Sequence, residues 1–405
     1  MLFQTLDNKE ECVGIYCNDE LIFDVAKFPD SLSTTWSYHP SLQSLNVEYA
    51  SLYLEGGRME EYIPEYLQEE WEDVFQKLKA FKRSLKISQV NSQENCFYDL
   101  VPDRFLIDYC SVKNRITQHI INSVPRPPRY KFYKAMAEML GEISSHSIDL
   151  DQRHLRSLMG SPKLKSHAAS LLGGNHRVEY NPFGTITGRL TTKKNSFPIL
   201  TLNKVFRPAV RPTNDFYMEI DFNGAEVRTL LGLSGHSQPQ GDVHDFHLKN
   251  VFTDLSTRAE AKTAFFAWMY GAKGNLPQAQ RNKLEEYYDK REVLRKFWVE
   301  GNVVTPYRKV IQNVDEHHAL NYIVQSVAAE LTLKQALKIN YLLKKYGSGS
   351  HIAFLIHDAV VIDIKQRDLS LLPDIVGLME STDFGKFKTN VKKGLNLGSL
   401  EVCRG

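Results

Sequence analysis

Two acidic residues and one helix face carry the chemistry of this 405-residue chain. Asp221 closes the run Phe216-Tyr217-Met218-Glu219-Ile220-Asp221-Phe222. Phe216, Met218, Ile220 and Phe222 share one strand face and can be buried, which leaves the acid on the other face at the strand's end. Asn223 then reads as a helix N-cap, and Glu226 completes a capping-box pattern three residues on. A carboxylate at a strand tip beside a helix N-terminus suits a metal and a phosphate, although such an acid can also merely cap the helix. Asp358 interrupts the longest apolar β run, His351–Ile364, which is too long for one strand and reads as a hairpin with His357-Asp358 near its turn. A carboxylate between buried strands is costly unless paired, and a cation would relieve that cost; an exposed turn acid is the alternative.

The third constellation is a helix framed by Thr257 with Glu260 at its start and Gly271 at its end. Along it Arg258, Lys262, Phe266 and Tyr270 recur every fourth residue and share one face. Two cations followed by two aromatics suit a ligand with an anionic end and a planar end, such as a nucleoside triphosphate; core packing capped by surface charge is the other reading.

In this order the three stretches resemble the polymerase motifs of the A-family DNA polymerases, the group of bacterial DNA polymerase I and its phage relatives. Thr187-Gly188-Arg189-Leu190-Thr191-Thr192 is similar to the family's TGRLSS segment, Asp242-Val243-His244 to its DIH segment, and Asn321 with Gln325 to its template-contacting helix. The likeness runs from about Val178 to the C-terminus. It implies that Asp221 and Asp358 hold two Mg²⁺ ions, with Mn²⁺ an alternative, for attack of a primer 3′-hydroxyl on a dNTP α-phosphate. Arg258, Lys262 and His244 would bind the triphosphate, with Lys262 a proton donor to pyrophosphate. Phe266 would lie near the sugar, Tyr270 beside the templating site, and Glu226 would exclude a 2′-hydroxyl. Thr187, Arg189, Asn321, Gln325, His317 and His357 would meet the primer-template DNA. The chain departs from the pattern at Ala359, where relatives carry a second acid, and at His317, where they carry Arg.

The implied architecture is α+β, a right hand with an antiparallel-sheet palm, helical fingers and a helical thumb. Residues 1–59 form a small β-rich N-terminal region, with runs at Cys12–Tyr16 and Leu21–Val25 between turn signals. Residues 60–172 read as helices and would be the thumb, ending in a Gly173-Gly174-Asn175 turn. Residues 173–235 and 301–405 would be the palm. Residues 236–300 would be compressed fingers, with helices broken at Gly271 and Gly274-Asn275. The Lys77–Lys86 cluster fits either a phosphate contact or a solvated helix end. Asp7-Asn8-Lys9-Glu10 and Asp19-Glu20 do not fit the Asp-x-Glu pair of a 3′–5′ exonuclease, so proofreading is not expected; a separate exonuclease or processivity factor is an expected partner.

The 50 basic and 48 acidic residues nearly cancel, so a nucleic-acid surface must be a local patch. Five scattered cysteines without zinc-ligand spacing read as reduced and structural. No signal segment or long apolar run points to a membrane, so the expectation is a soluble protein, cytoplasmic in a bacterial host if phage-encoded. The functional expectation is a template-directed DNA polymerase. The alternatives are a catalytically weakened, polymerase-like DNA-binding accessory protein and a single-subunit RNA polymerase, the latter opposed by Glu226.

Overall fold

The computed structural model describes residues 1–8, 11–43, 45–90, 95–271 and 276–403. Glu10 and the Gly274-Asn275 break lie outside them. The chain divides into two compact units, Met1–Ser147 and Ile148–Gly405. This division falls inside the 60–172 stretch.

In the first unit β1 (Phe3–Asn8), β2 (Glu11–Cys17) and β3 (Glu20–Ile22) form an antiparallel meander. Asn18 and Asp19 join β2 to β3 with φ of 50° and 62°, the left-handed turn whose twist matches paired strands. Leu2 bridges in parallel to Thr34, and Thr34-Thr35 pairs in parallel with Glu48-Tyr49. Three helices follow, α1 (Glu65–Ile87), α2 (Asp103–Ser123) and α3 (Tyr130–Ser145). The stripe Leu67, Trp71, Val74, Leu78 of α1 is buried, and Trp71 and Phe81 meet Tyr109 and Phe105 of α2. Buried Gln4 of β1 is satisfied by Asn114 (2.8 Å) and Thr117 (3.3 Å) of α2. In the lysine cluster Lys77 pairs with Asp73 at 2.6 Å and Lys79 lies over the Phe75 ring at 4.2 Å, so part of it serves the helix surface.

The second unit opens with α4 (Gln152–Leu158) and α5 (Pro162–Gly173). Its centre is a five-stranded antiparallel sheet of β4 (Phe216–Phe222), β5 (His351–Ile356), β6 (Ala359–Ile364), β7 (Thr389–Gly394) and β8 (Glu401–Val402), in the order β5-β6-β4-β7-β8. Between β4 and β5 run α6 (Ala225–Leu233), α7 (Val243–Asn250), α8 (Arg258–Met269), α9 (Gln278–Tyr287), α10 (Lys290–Phe297) and α11 (Glu316–Lys345); α12 (Leu372–Glu380) precedes β7. Met218, Ile220 and Phe222 of β4 are buried as the alternation requires. The 30-residue α11 is apolar nearly all round its middle because it packs against α6, α10 and α12 as well as β5 and β6. Among the described residues no helix is long and apolar enough to cross a membrane.

Asp363 of β6 ties the sheet to the loop that feeds β4. It is 2% exposed and accepts hydrogen bonds from the Thr213 amide (2.7 Å), the Thr213 hydroxyl (2.8 Å) and the Asn214 amide (3.0 Å). Asp363→Ala would strand those donors and is expected to cost about 3 kcal/mol, read from the shift in a urea denaturation midpoint; an unchanged midpoint would show that water replaces the carboxylate.

Candidate active site

The second unit encloses a cavity of about 410 Å³ where the β4–α6 joint, α7, α8, α11, β7 and the β5–β6 turn meet. Asp221 and Asp358 both line it. Asp358 follows His357, whose φ of +57° makes the two-residue turn between β5 and β6. Asp221 sits in register between Ala359 on β6 and Asn390 on β7. Burial first, then the neighbouring Asp358 and Glu219, push the Asp221 carboxyl up to about 7, while Lys392 and Lys262 oppose the shift. Asp358 is also raised, by burial and then by Glu226.

Two half-buried carboxylates that face one cavity suit a hard divalent cation. Among the described residues no group of three or more His, Cys, Asp or Glu side chains is arranged to hold a metal. The donor set therefore fits Mg²⁺, which is commonly held by one or two carboxylates plus water and phosphate, better than an all-protein cage.

At the β4–α6 joint the capping expectation is overturned. The N-cap of α6 is Gly224, in the left-handed region at φ +73°, and it makes no side-chain cap. Asn223 faces elsewhere: its side-chain oxygen accepts from the Val243 amide (3.0 Å) and from Arg228 (3.3 Å), and its amide donates to Asp242 (2.5 Å). Glu226 instead accepts from Arg189 and from the Tyr270 hydroxyl. Arg228, fully buried, donates to the carbonyls of Asn223 (2.7 Å), Pro239 (2.9 Å) and Gly241 (2.7 Å). It thereby fixes the loop that delivers Asp242, which caps α7 through the His244 and Asp245 amides.

The capping box of α8 is present as expected, with Thr257 and Glu260 exchanging hydrogen bonds. Arg258 donates to Asp242 at 2.7 Å, and these contacts hold the Asp242 carboxyl well below its usual range against its own desolvation. Lys262 is exposed and has no hydrogen-bond partner among the described residues. Phe266 stacks on Tyr270 at 5.9 Å and 16° and lies 5.9 Å from the His244 ring. His244 is 2% exposed, its Nδ1 has no protein partner, and burial followed by nearby Arg258 lowers its pKa to about 4. Its imidazole is neutral near pH 7 and can offer a hydrogen bond but not a charge.

No family model matches the chain. In a comparison that covers 65% of this chain, it is 22% identical to a DNA polymerase I of Chloroflexus aurantiacus, and it spans only 34% of that relative. Its fold is similar to the POL domain of Pol1 from M. smegmatis in complex with DNA primer-template and dNTP. The TM-score is 0.58 at 14% identity, covering 73% of this chain and 76% of that one. The chain thus has weak homology to a DNA polymerase I and the mixed α+β fold of a polymerase domain.

Of the residues singled out in the sequence, Asp221, Glu226, His244, Arg258, Lys262, Phe266, Arg189, His357 and Asp358 line the one cavity. Tyr270 joins through Glu226, and Gln325 through a hydrogen bond to Tyr270. Thr187 is buried outside the lining; Asn321, half-buried, is also outside it, and its side-chain oxygen has no hydrogen-bond partner among the described residues. His317 is not in the lining; it sits at the start of α11, near Gly271. Sequence reading gave Asn223 the role of a helix cap, which it does not fill, and gave Arg228 none. It also missed His247, fully buried in α7, stacked on Phe265 at 4.5 Å and hydrogen-bonded to the Tyr288 hydroxyl at 2.5 Å. An arginine amid the apolar residues of α6 was the available signal for Arg228, whereas α7 mixes polar and apolar residues and gave none for His247.

Gly224 is required both by its positive φ and by space, since a Cβ there would stand 2.7 Å from Val243 Cγ1. Gly224→Ala is expected to destabilise by about 1–3 kcal/mol, read as a lowered Tm; a Tm equal to that of the parent would contradict the tight joint.

Proposed function

We propose that this chain is a template-directed DNA polymerase that adds dNTPs to a primer 3′-hydroxyl by two-metal phosphoryl transfer, without proofreading by these residues. The observation that carries this reading is the convergence of Asp221 and Asp358 with the cationic and aromatic face of α8 in one cavity. The weak homology to a DNA polymerase I and the fold likeness to a domain solved with primer-template and dNTP support it. Under this reading residues 173–235 and 301–405 form the palm, 236–300 the fingers and 60–172 the thumb.

Asp221 and Asp358 would hold the Mg²⁺ ions, which when bound supply Lewis-acid charge to the α-phosphate and its attacking and leaving oxygens. The protein's own work is positioning. Lys262, without a partner, is ready to receive a phosphate and to give a proton to the departing pyrophosphate. Arg258 must exchange Asp242 for phosphate oxygens. His244 contributes a neutral donor from α7. Phe266 offers an apolar wall for the sugar, and Tyr270 stands beside the templating base. Glu226, held on two sides by Arg189 and Tyr270, is a carboxylate whose position is fixed, which a steric gate against a 2′-hydroxyl needs. Arg189, Thr187, Asn321, Gln325, His317 and His357 would meet the primer-template.

One observation favours a second reading, a polymerase-like DNA-binding accessory protein with weakened catalysis: buried Ala359 stands beside Asp221 where relatives of the resembled family carry an acid. Primer extension with Mg²⁺ decides between them, since the main reading requires incorporation by the purified chain. Within that assay Asp221→Ala or Asp358→Ala should each lower kcat by more than about 10²-fold, the scale of losing one charge-stabilising group, while a gel-shift assay shows DNA binding retained. Substantial residual extension in either variant would remove the metal assignment. Glu226→Ala should raise ribonucleotide use relative to deoxyribonucleotide by about 10-fold or more, and unchanged sugar discrimination would remove the gate.

A further inference from the structure

Two adjacent rungs of the same two strands are occupied differently. Glu219 and Asp221 of β4 point to one face of the sheet, and their cross-strand partners on β7 are Lys392 and Asn390. On the first rung the charges meet: Lys392 donates to Glu219 at 2.6 Å. On the second they do not. Asp221 faces a neutral carboxamide on one side and the methyl group of Ala359 on the other. Asn390 lines the cavity together with Asp221 and Asp358, and its side chain has no hydrogen-bond partner among the described residues. An amide that ladders beside an acid, opens into a cavity and has no hydrogen-bond partner among the described residues is placed for a ligand rather than for the sheet.

We propose that Asn390 is a further member of the active site, giving its carboxamide oxygen, directly or through one water, to the divalent cation held by Asp221 and Asp358. This rests on the metal reading above. It also gives Ala359 a physical meaning. The oxygen donor missing from β6 is replaced from β7, on the other side of Asp221, by a group that carries no charge. The site then holds its cation with two carboxylates and a neutral oxygen, a donor set suited to hard cations.

The test measures Mn²⁺ binding to the full chain by the loss of the free-ion EPR signal, with no DNA or nucleotide present. Wild type should bind, and Asp221→Ala should lose most of that binding. Asn390→Ala should raise the dissociation constant about tenfold, the scale of losing a group that supports a metal. Asn390→Asp, which keeps an oxygen at the same place, should bind at least as tightly as wild type, and thermal denaturation of both variants separates folding damage from lost affinity. If Asp221→Ala binds Mn²⁺ like wild type, or wild type binds none, the metal reading itself fails and the inference with it. If Asp221→Ala loses binding but Asn390→Ala does not, or if Asn390→Asp weakens as much as Asn390→Ala, the metal reading stands and Asn390 is no ligand.

Discussion

The second unit depends on one buried guanidinium. Arg228 has no exposure and answers three backbone carbonyls, at Asn223, Pro239 and Gly241, that a turn between β4 and α7 would otherwise leave unpaired. A buried cation without acceptors would be far worse than an apolar residue, so the loop and the arginine require each other. The reach of that mutual requirement is long. The fixed loop sets Asp242, Asp242 sets the first turn of α7 and the partner of Arg258, and α7 sets His244. The cavity is thus shaped from behind by a residue that never touches it.

The same logic of compensation separates the structural acids from the two proposed to be functional. Asp363 is buried but surrounded by donors, Glu219 has Lys392, and Asp242 has Asn223, Arg258 and two helix amides. Asp221 and Asp358 have burial and neighbouring acids instead, Asp358 and Glu219 for the first and Glu226 for the second, and both are pushed toward the neutral form. In a protein that otherwise satisfies its acids carefully, such a pair is a deliberate deficit.

Much of this was legible in the sequence, because period-two runs announced β4 and the β5–β6 hairpin and four-residue spacing announced the face of α8. The hairpin turn followed from the length of the run together with the ionisable His357-Asp358 pair at its centre. The α6 cap was misread for a physical reason: Asn223 and Glu226 carry the local signature, but long-range demands from Arg228, Val243 and Arg189 outbid the helix terminus for their side chains. Asn390 was illegible because Thr389-Asn390-Val391-Lys392-Lys393 shows no apolar alternation, and its meaning arises only from its register against a distant strand. His247 and Tyr288 were hidden likewise, each unremarkable until folding brought them within hydrogen-bond distance.

If α8 receives a phosphate-bearing ligand as proposed, the Arg258–Asp242 pair bears on its selectivity. An internal carboxylate already occupies the guanidinium, so an incoming anion is weighed against it rather than against water. A lone phosphate offers little more charge than the carboxylate it would displace and gains little by the exchange. A polyphosphate can take Arg258 and the vacant Lys262 together, so its advantage grows with its number of charged groups. Under the proposed function the pair would work as a threshold on ligand charge, set by the protein before any nucleotide arrives.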